Sequence, residues 1–257
     1  MIHIGGISFD LDFFLKYLFN PPEMIWHGIL MTIAIAIIAQ VAGVVLGFGV
    51  AIARLSKFAM LRGLAGLYSW AWRGTPVLVQ LLIVYTGVAA AGVYRYPEIA
   101  LGPLLISGPL QAALITLSLN EAAYMGEIFR GAIQTIDRGQ IDAARAIGMR
   151  PSTAMRWVIL PQAMRTVIPP LGNEFTLMIK GTSLLSVIGV RELFGSVQNI
   201  NSATFKTFEL FLIAAIWYLA MTTVLSIVQR FVEARLRRHE LPAAATVKPN
   251  RSLLSAR

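Results

Sequence analysis

Apolar residues along this chain gather into long runs instead of the every-third or alternating patterns of half-buried elements. Five runs, at 25–53, 64–93, 109–133, 160–190 and 208–232, reach the length of about 20 residues that a helix needs to cross a hydrocarbon layer about 30 Å thick. The pattern predicts an all-α membrane protein with five transmembrane helices. An odd number of crossings puts the two ends on opposite sides. Lys and Arg decide which: one set of flanks holds Arg54, Lys57, Arg62, Arg130, Arg138, Arg145, Arg150, Arg156, Arg165, Arg230, Arg235, Arg237 and Arg238, and the other only Lys16, Arg95, Arg191 and Lys206. Because cytoplasmic flanks carry the excess of basic residues, the N-terminus is expected outside and the C-terminus in the cytoplasm. Residues 1–24 are then an external segment, 25–236 a transmembrane domain, and 237–257, rich in Ala, Ser and Arg, a disordered cytoplasmic tail.

Two runs are interrupted. The second contains Arg73-Gly74-Thr75-Pro76, and the fourth starts around Pro161 and carries Pro169-Pro170, Gly172 and then Asn173-Glu174. Proline removes a backbone donor and clashes with the preceding turn, so each helix is expected to bend there. A bend of this kind either lines a cavity or improves packing. The first run follows Asp10, Asp12 and Glu23 and lacks a basic leader, so it is read as a retained span and not a secretory signal.

Composition agrees with a lipid environment. Of 257 residues 56% are hydrophobic and 14% charged, with a mean hydropathy of +0.68, whereas soluble domains carry about a quarter charged residues. The net charge of +9 has no hydrophilic basic domain to sit on, so nucleic acid is not an expected partner; membrane lipid is. The chain has no Cys, which excludes disulfides and thiolate metal sites and suits a bacterial cytoplasmic (inner) membrane. No metal site is expected. The three histidines, His3, His27 and His239, lie outside the middle of every run, and no His-Glu-x-x-His occurs, so an intramembrane protease is not expected.

Between the third and fourth runs lies a segment longer than a membrane hairpin requires, 139–161. Its first half is alanine-rich, Gly148 breaks it, and Pro151 can open a second helix, so the segment reads as helix, turn, helix. Ala143, Ala144 and Gly148 are small residues on adjacent turns that would let a partner approach closely, while Arg145, Arg150 and Arg156 keep the segment in water.

Asp142-Ala143-Ala144, Gly148 and Val158-Ile159-Leu160-Pro161 resemble the Glu-Ala-Ala, Gly, Ile-x-Leu-Pro pattern of the coupling loop in ATP-binding-cassette importer permeases. The spacing matches, with Asp142 for Glu and Val158 for Ile. Glu121-Ala122-Ala123 spells the same triplet inside the third run without the downstream spacing. The resemblance extends to Arg73-Gly74-Thr75-Pro76-Val77-Leu78-Val79-Gln80, to residues 127–133, and to Leu160-Pro161-Gln162-Ala163, 169–174 and 182–189. Together these are similar to the polar amino acid subfamily, the permeases of histidine, glutamine, glutamate, arginine and opine importers.

The resemblance implies a type I importer permease fold, a second permease that is identical or homologous, two cytoplasmic ATP-binding-cassette subunits and an external solute-binding protein. It implies that Asp142, Ala143, Ala144, Gly148 and Pro161 belong to the element that docks on the ATPase. The chain has no Gly-x-x-x-x-Gly-Lys-Ser/Thr loop, so no ATP or other cofactor is expected on it and it is a transport subunit, not an enzyme. Permeases for another small solute, such as methionine or an opine, share the loop and stay open as alternatives.

Ionisable groups inside a span are costly, about 2.5–3.5 kcal/mol at a helix centre on insertion scales, and mark function by default. Glu121 is the candidate for a cationic group of the substrate, with Asn120, Thr75, Gln80, Thr182 and Ser183 as hydrogen-bonding groups and Lys180 as the opposite charge on the path. The alternative is that Glu121 pairs with Lys180 or with the second permease. Asn173-Glu174 can equally satisfy backbone freed by the double proline. Arg73 is placed near the cytoplasmic surface, as a headgroup or gate residue and not as a ligand for the substrate carboxylate.

Overall fold

The computed structural model describes residues 2–4, 7–102 and 104–237; the expected tail beyond Arg237 lies outside them. An antiparallel hairpin, β1 (Ile2–Ile4) with β2 (Ile7–Phe9), leads into α1 (Leu11–Phe19), whose N-terminus is capped by Asp10 accepting from Phe13 N at 3.1 Å. Then follow α2 (Glu23–Arg54), α3 (Ala59–Gly74), α4 (Val77–Leu82), a π-helical turn (Ile83–Gly87), α5 (Val88–Ala90) and a second hairpin, β3 (Ile99–Leu101) with β4 (Leu104–Ile106). The remainder is α6 (Gly108–Gln134), α7 (Arg138–Ala146), α8 (Pro151–Ala154), a π-helical turn (Met155–Ile159), α9 (Leu160–Gly181), a 3-10 segment (Thr182–Ile188), α10 (Leu193–Thr204) and α11 (Thr207–Arg237). Two helices, α2 and α11, are each long and apolar enough to cross a membrane, and the pair formed by α3 and the 77–90 segment makes a third such unit.

The expected interruptions take different forms. The second run does not bend gently: α3 and the segment after it meet at 107° around Thr75-Pro76. Thr75, as the residue before a proline, is extended at φ −119°, ψ 147°, which ends α3 on the spot. In the fourth run the helix passes through Pro169-Pro170 without a break and changes only at Thr182, where it tightens to 3-10 before Gly189 stops it at φ +84°. Gln229 of α11 donates to the Pro169 carbonyl at 3.1 Å, and its amide fills the space where a Cβ at residue 172 would stand, so Gly172 is the residue that lets α11 serve the double proline. The connection 191–207 is not a simple loop; it contains α10, which packs on α2 and α11.

α6 is the hub, packed on α2 most extensively and also on α3, α4 and α9. Lipid tails are as apolar as leucine, so helices associate here by close packing of small residues. A Cβ added at Gly43 would collide with the Glu121 side chain, and one at Gly47 would stand 2.6 Å from Met125 Cβ; on the opposite helix, one at Gly126 would stand 2.7 Å from Val50 Cγ1. Ala36, Ala39, Ala112, Ala113, Ala122 and Ala123 complete the contact, and all are buried.

A second anchor joins α2, α10 and α11. Glu192, with no exposure, caps α10 through Gly195 N at 2.8 Å and accepts from Tyr218 OH at 2.5 Å and Thr32 Oγ1 at 3.2 Å, while Thr32 Oγ1 accepts from Leu193 N at 3.1 Å. Outside the membrane-facing core, α1 is clamped to the start of α11: Lys206 Nζ lies 2.8 Å from Asp10 Oδ2, and Asp10 N donates to Glu209 Oε1 at 2.7 Å. The hydrogen bond to Lys206 and the Phe13 N–H hold the Asp10 carboxyl below its ordinary range, and Asp10 in turn raises the Lys206 ammonium.

Two outcomes follow from these contacts. Gly43→Val overpacks the α2–α6 contact and costs about 1–3 kcal/mol, seen as a lowered thermal midpoint of the purified protein, whereas Gly63→Ala, which meets nothing within 4 Å, leaves it unchanged or slightly higher. The Asp10–Lys206 clamp, built on a depressed carboxyl and a raised ammonium, holds at every pH between the ordinary values of 3.8 and 10.5 and is lost only beyond them. Amide exchange in α1, corrected for intrinsic rates, is therefore the same at pH 5.5 and 8.5, and Asp10→Asn speeds it at both.

Candidate functional site

The 107° break strips the last turn of α3 of its intrahelical partners, and side chains replace them. Gln80 Nε2 faces Trp72 O at 2.7 Å, Thr75 O at 3.0 Å and Thr75 Oγ1 at 2.7 Å, and Gln80 Oε1 accepts from Asn120 Nδ2 at 2.8 Å. Thr75 Oγ1 donates back to Ala71 O at 2.8 Å. Of the expected hydrogen-bonding groups, Thr75, Gln80 and Asn120 thus form one brace across the break. Gln80 is buried behind it; Thr75 and Asn120 also reach an open space.

That space is a cavity of about 300 Å³ between the break, α6 and α9, lined by Thr75, Pro76, Asn120, Glu121, Tyr124 and Glu174 with Val77, Leu117, Leu177 and Met178 as apolar wall. Glu121 is 3% exposed, rests on Gly43, and accepts from Gln40 Nε2 at 2.7 Å. Glu121 and Glu174 face one cavity with no Lys or Arg in its lining. The structure does not bring the other candidates here. Lys180 is exposed on the α11 side of α9, in a separate cavity of about 330 Å³ with Thr222, Ser226 and Arg230, and forms no ion pair with Glu121. Thr182 is fully buried and donates to Ile179 O at 2.8 Å; Ser183 donates to Lys180 O at 2.8 Å, so both hydroxyls serve the turn that starts the 3-10 segment.

Arg73 is exposed. Its guanidinium lies 5.4 Å above the ring of Tyr124, a cavity-lining residue one turn from Glu121. On its other side is a cavity of about 370 Å³ lined by Arg54, Ser69, Trp70, Arg73 and Glu127. There Glu127 bridges Arg54 Nε at 3.1 Å and Arg130 Nη2 at 2.7 Å.

The 139–161 segment folds as helix, turn, helix. Asp137 caps α7 through Gly139 N at 2.7 Å. α7 ends with Gly148 at φ +79°, Gly148 N bonding Arg145 O at 2.9 Å and Met149 N bonding Ala144 O at 3.0 Å, the paired bonds of a left-handed helix stop. Pro151 opens α8, which runs unbroken through the π turn into α9, so Pro161 lies inside a continuous helix. Asp142, Ala143, Gly148 and Pro161 are exposed, but Ala144 does not face outward: it is 3% exposed where α7 packs on α8 and the π turn, as is Ala154 at 4%. The outward face instead carries Ile147, 74% exposed, and Trp157, 67% exposed, beside the Asp142–Arg145 pair at 3.2 Å.

A family model described as "Binding-protein-dependent transport system inner membrane component" matches residues 43–238. The chain belongs to this family. It is 40% identical over 237 residues to the arginine transport system permease protein of Corynebacterium glutamicum, covering 90% of this chain and 73% of that one. It is 36% identical over 217 residues to the histidine/lysine/arginine/ornithine transport system permease protein of Escherichia coli, covering 84% and 90%. The crystal structure of an amino acid ABC transporter with histidines aligns at TM-score 0.76 and 34% identity, covering 89% of this chain and all of that one. A methionine ABC transporter in an inward-facing form aligns at TM-score 0.62 and 17% identity, a likeness of fold. Like its relatives, this member of the family is a multi-pass inner-membrane permease, a transport component and not an enzyme.

Residues that support the site but were not singled out from sequence are Gln40, Gly43, Glu192 and Tyr218. A signal for the first two existed: Gln40, Gly43 and Gly47 recur at helical spacing inside an apolar run, a polar and small stripe with no reason to face lipid. The left-handed stop gives a direct test of the hairpin. Gly148→Val forces a branched residue into positive φ, costs about 1–2 kcal/mol locally, and speeds amide exchange in α7 and α8 while the permease itself still purifies.

Proposed function

We infer that this chain is the membrane-spanning permease subunit of an ATP-driven amino acid importer, forming the translocation path and coupling to a separate ATPase through residues 142–161. The observation that carries the reading is the exposed hairpin with Ile147 and Trp157 on its outer face, continuous through the π turn with α9, the helix that brings Glu174 to the cavity. A push on the hairpin is thereby a push on the cavity wall. The five-span count takes α6, and α9 with its 3-10 extension, as crossings beside α2, the α3–α5 pair and α11, which are apolar enough to cross, and the outside N-terminus is supported by the distribution of Lys and Arg. Two ATPase subunits, a second permease and an external binding protein complete the assembly.

The cavity favours a cationic amino acid. Its lining holds two carboxylates and no Lys or Arg, with Arg73 outside it on Tyr124, which suits a guanidinium or ammonium side chain, and relatives are named for arginine, histidine, lysine and ornithine transport. Methionine as substrate has only the fold likeness behind it. In proteoliposomes containing the whole transporter, Glu121→Gln and Glu174→Gln each lower arginine uptake and arginine-stimulated ATP hydrolysis about tenfold or more, while basal hydrolysis stays. Undiminished uptake by Glu121→Gln would remove that residue from the substrate site.

A further inference from the structure

An amino acid carries a carboxylate as well as its ammonium, and the acidic cavity holds no cation to meet it. The nearest candidate stands beside it. Arg73 adjoins Thr75 and Pro76, which line the cavity, and its guanidinium rests at 5.4 Å on Tyr124, which lines it too. The brace of Gln80 and Asn120 on Trp72 O and Thr75 fixes the backbone on both sides of Arg73, so its position relative to Glu121 is set by the break. Arg73 takes part in no ion pair among the described residues, unlike Arg54 and Arg130, which both hold Glu127. A guanidinium whose hydrogen-bonding fork is uncommitted within the protein is free to hold a carboxylate in a two-bond pair.

Resting on the cationic amino acid reading above, we propose that Arg73 holds the α-carboxylate of the substrate and so separates amino acids from amines of the same side chain. Glu121 and Glu174 take the positive side chain, and Arg73 takes the opposite end across Tyr124. On its far side Arg73 lines the second cavity with Arg54, so a carboxylate leaving the acidic cavity stays within reach of the same guanidinium.

The test is equilibrium binding of radiolabelled L-arginine and of agmatine, its decarboxylated analogue, to the whole transporter purified through this chain. Wild type prefers arginine. Arg73→Gln weakens arginine about tenfold or more and leaves agmatine within about twofold, as for loss of one charge-assisted pair. Arg73→Lys, keeping the charge without the fork, lies between. Because the readout is a ratio, a smaller folded fraction of the variant does not alter it. Glu121→Gln weakens both ligands together. An unchanged arginine-to-agmatine ratio in Arg73→Gln overturns the assignment and leaves the cationic reading intact; failure of wild type to bind arginine overturns that reading and the assignment with it.

Discussion

The contact of α2 with α6 is the constraint on which the molecule depends. Within lipid the hydrophobic effect does not press one apolar helix against another, so association requires backbones close enough for dispersion and short polar bonds to act. Gly43, Gly47 and Gly126 supply the closeness, and Glu121 uses it. Its side chain lies where a Cβ of residue 43 would be, and Gln40 from the same face of α2 holds its carboxylate. A single carboxylate is thus both part of the helix contact and the edge of the cavity. Glu192 repeats the device elsewhere, locking α10 to α2 and α11 with its carboxyl group wholly enclosed.

The break at Thr75-Pro76 has the opposite character, because there backbone is freed and not packed away. A carbonyl left unsatisfied in a membrane is expensive, and Gln80 with Asn120 meets the exposed carbonyls of Trp72 and Thr75. These side chains are committed to structure, which leaves the cavity's chemistry to the two acids and Tyr124. A rigid break also lets one short stretch line two cavities, with Gly74 on one side and Thr75 on the other.

The hairpin of α7 and α8 shows the same economy. Ala144 and Ala154 pack α7 on α8, the left-handed stop at Gly148 fixes the turn, and the outward face is left to Ile147 and Trp157. Because α8 flows into α9 through the π turn, the piece that meets water and the piece that meets the cavity are one helix.

The sequence by itself determined the solvent, the apolar runs, the helix–turn–helix at 139–161 and the family, since each depends on local periodicity, on glycine and proline chemistry or on spacing along the chain. It also marked Thr75, Asn120 and Glu121, because a polar residue inside an apolar run must be satisfied by something. Only the tertiary structure decided what satisfies each of them. Lys180 and Glu121 differ by the face of the helix pair they occupy, Ala144 turns inward because α8 folds back over it, and Arg73 lies on Tyr124, a residue of the cavity wall, beside a 107° corner. Those outcomes depend on how separate helices meet. The spacing of residues within any one helix fixes only which face a side chain occupies, not what stands opposite.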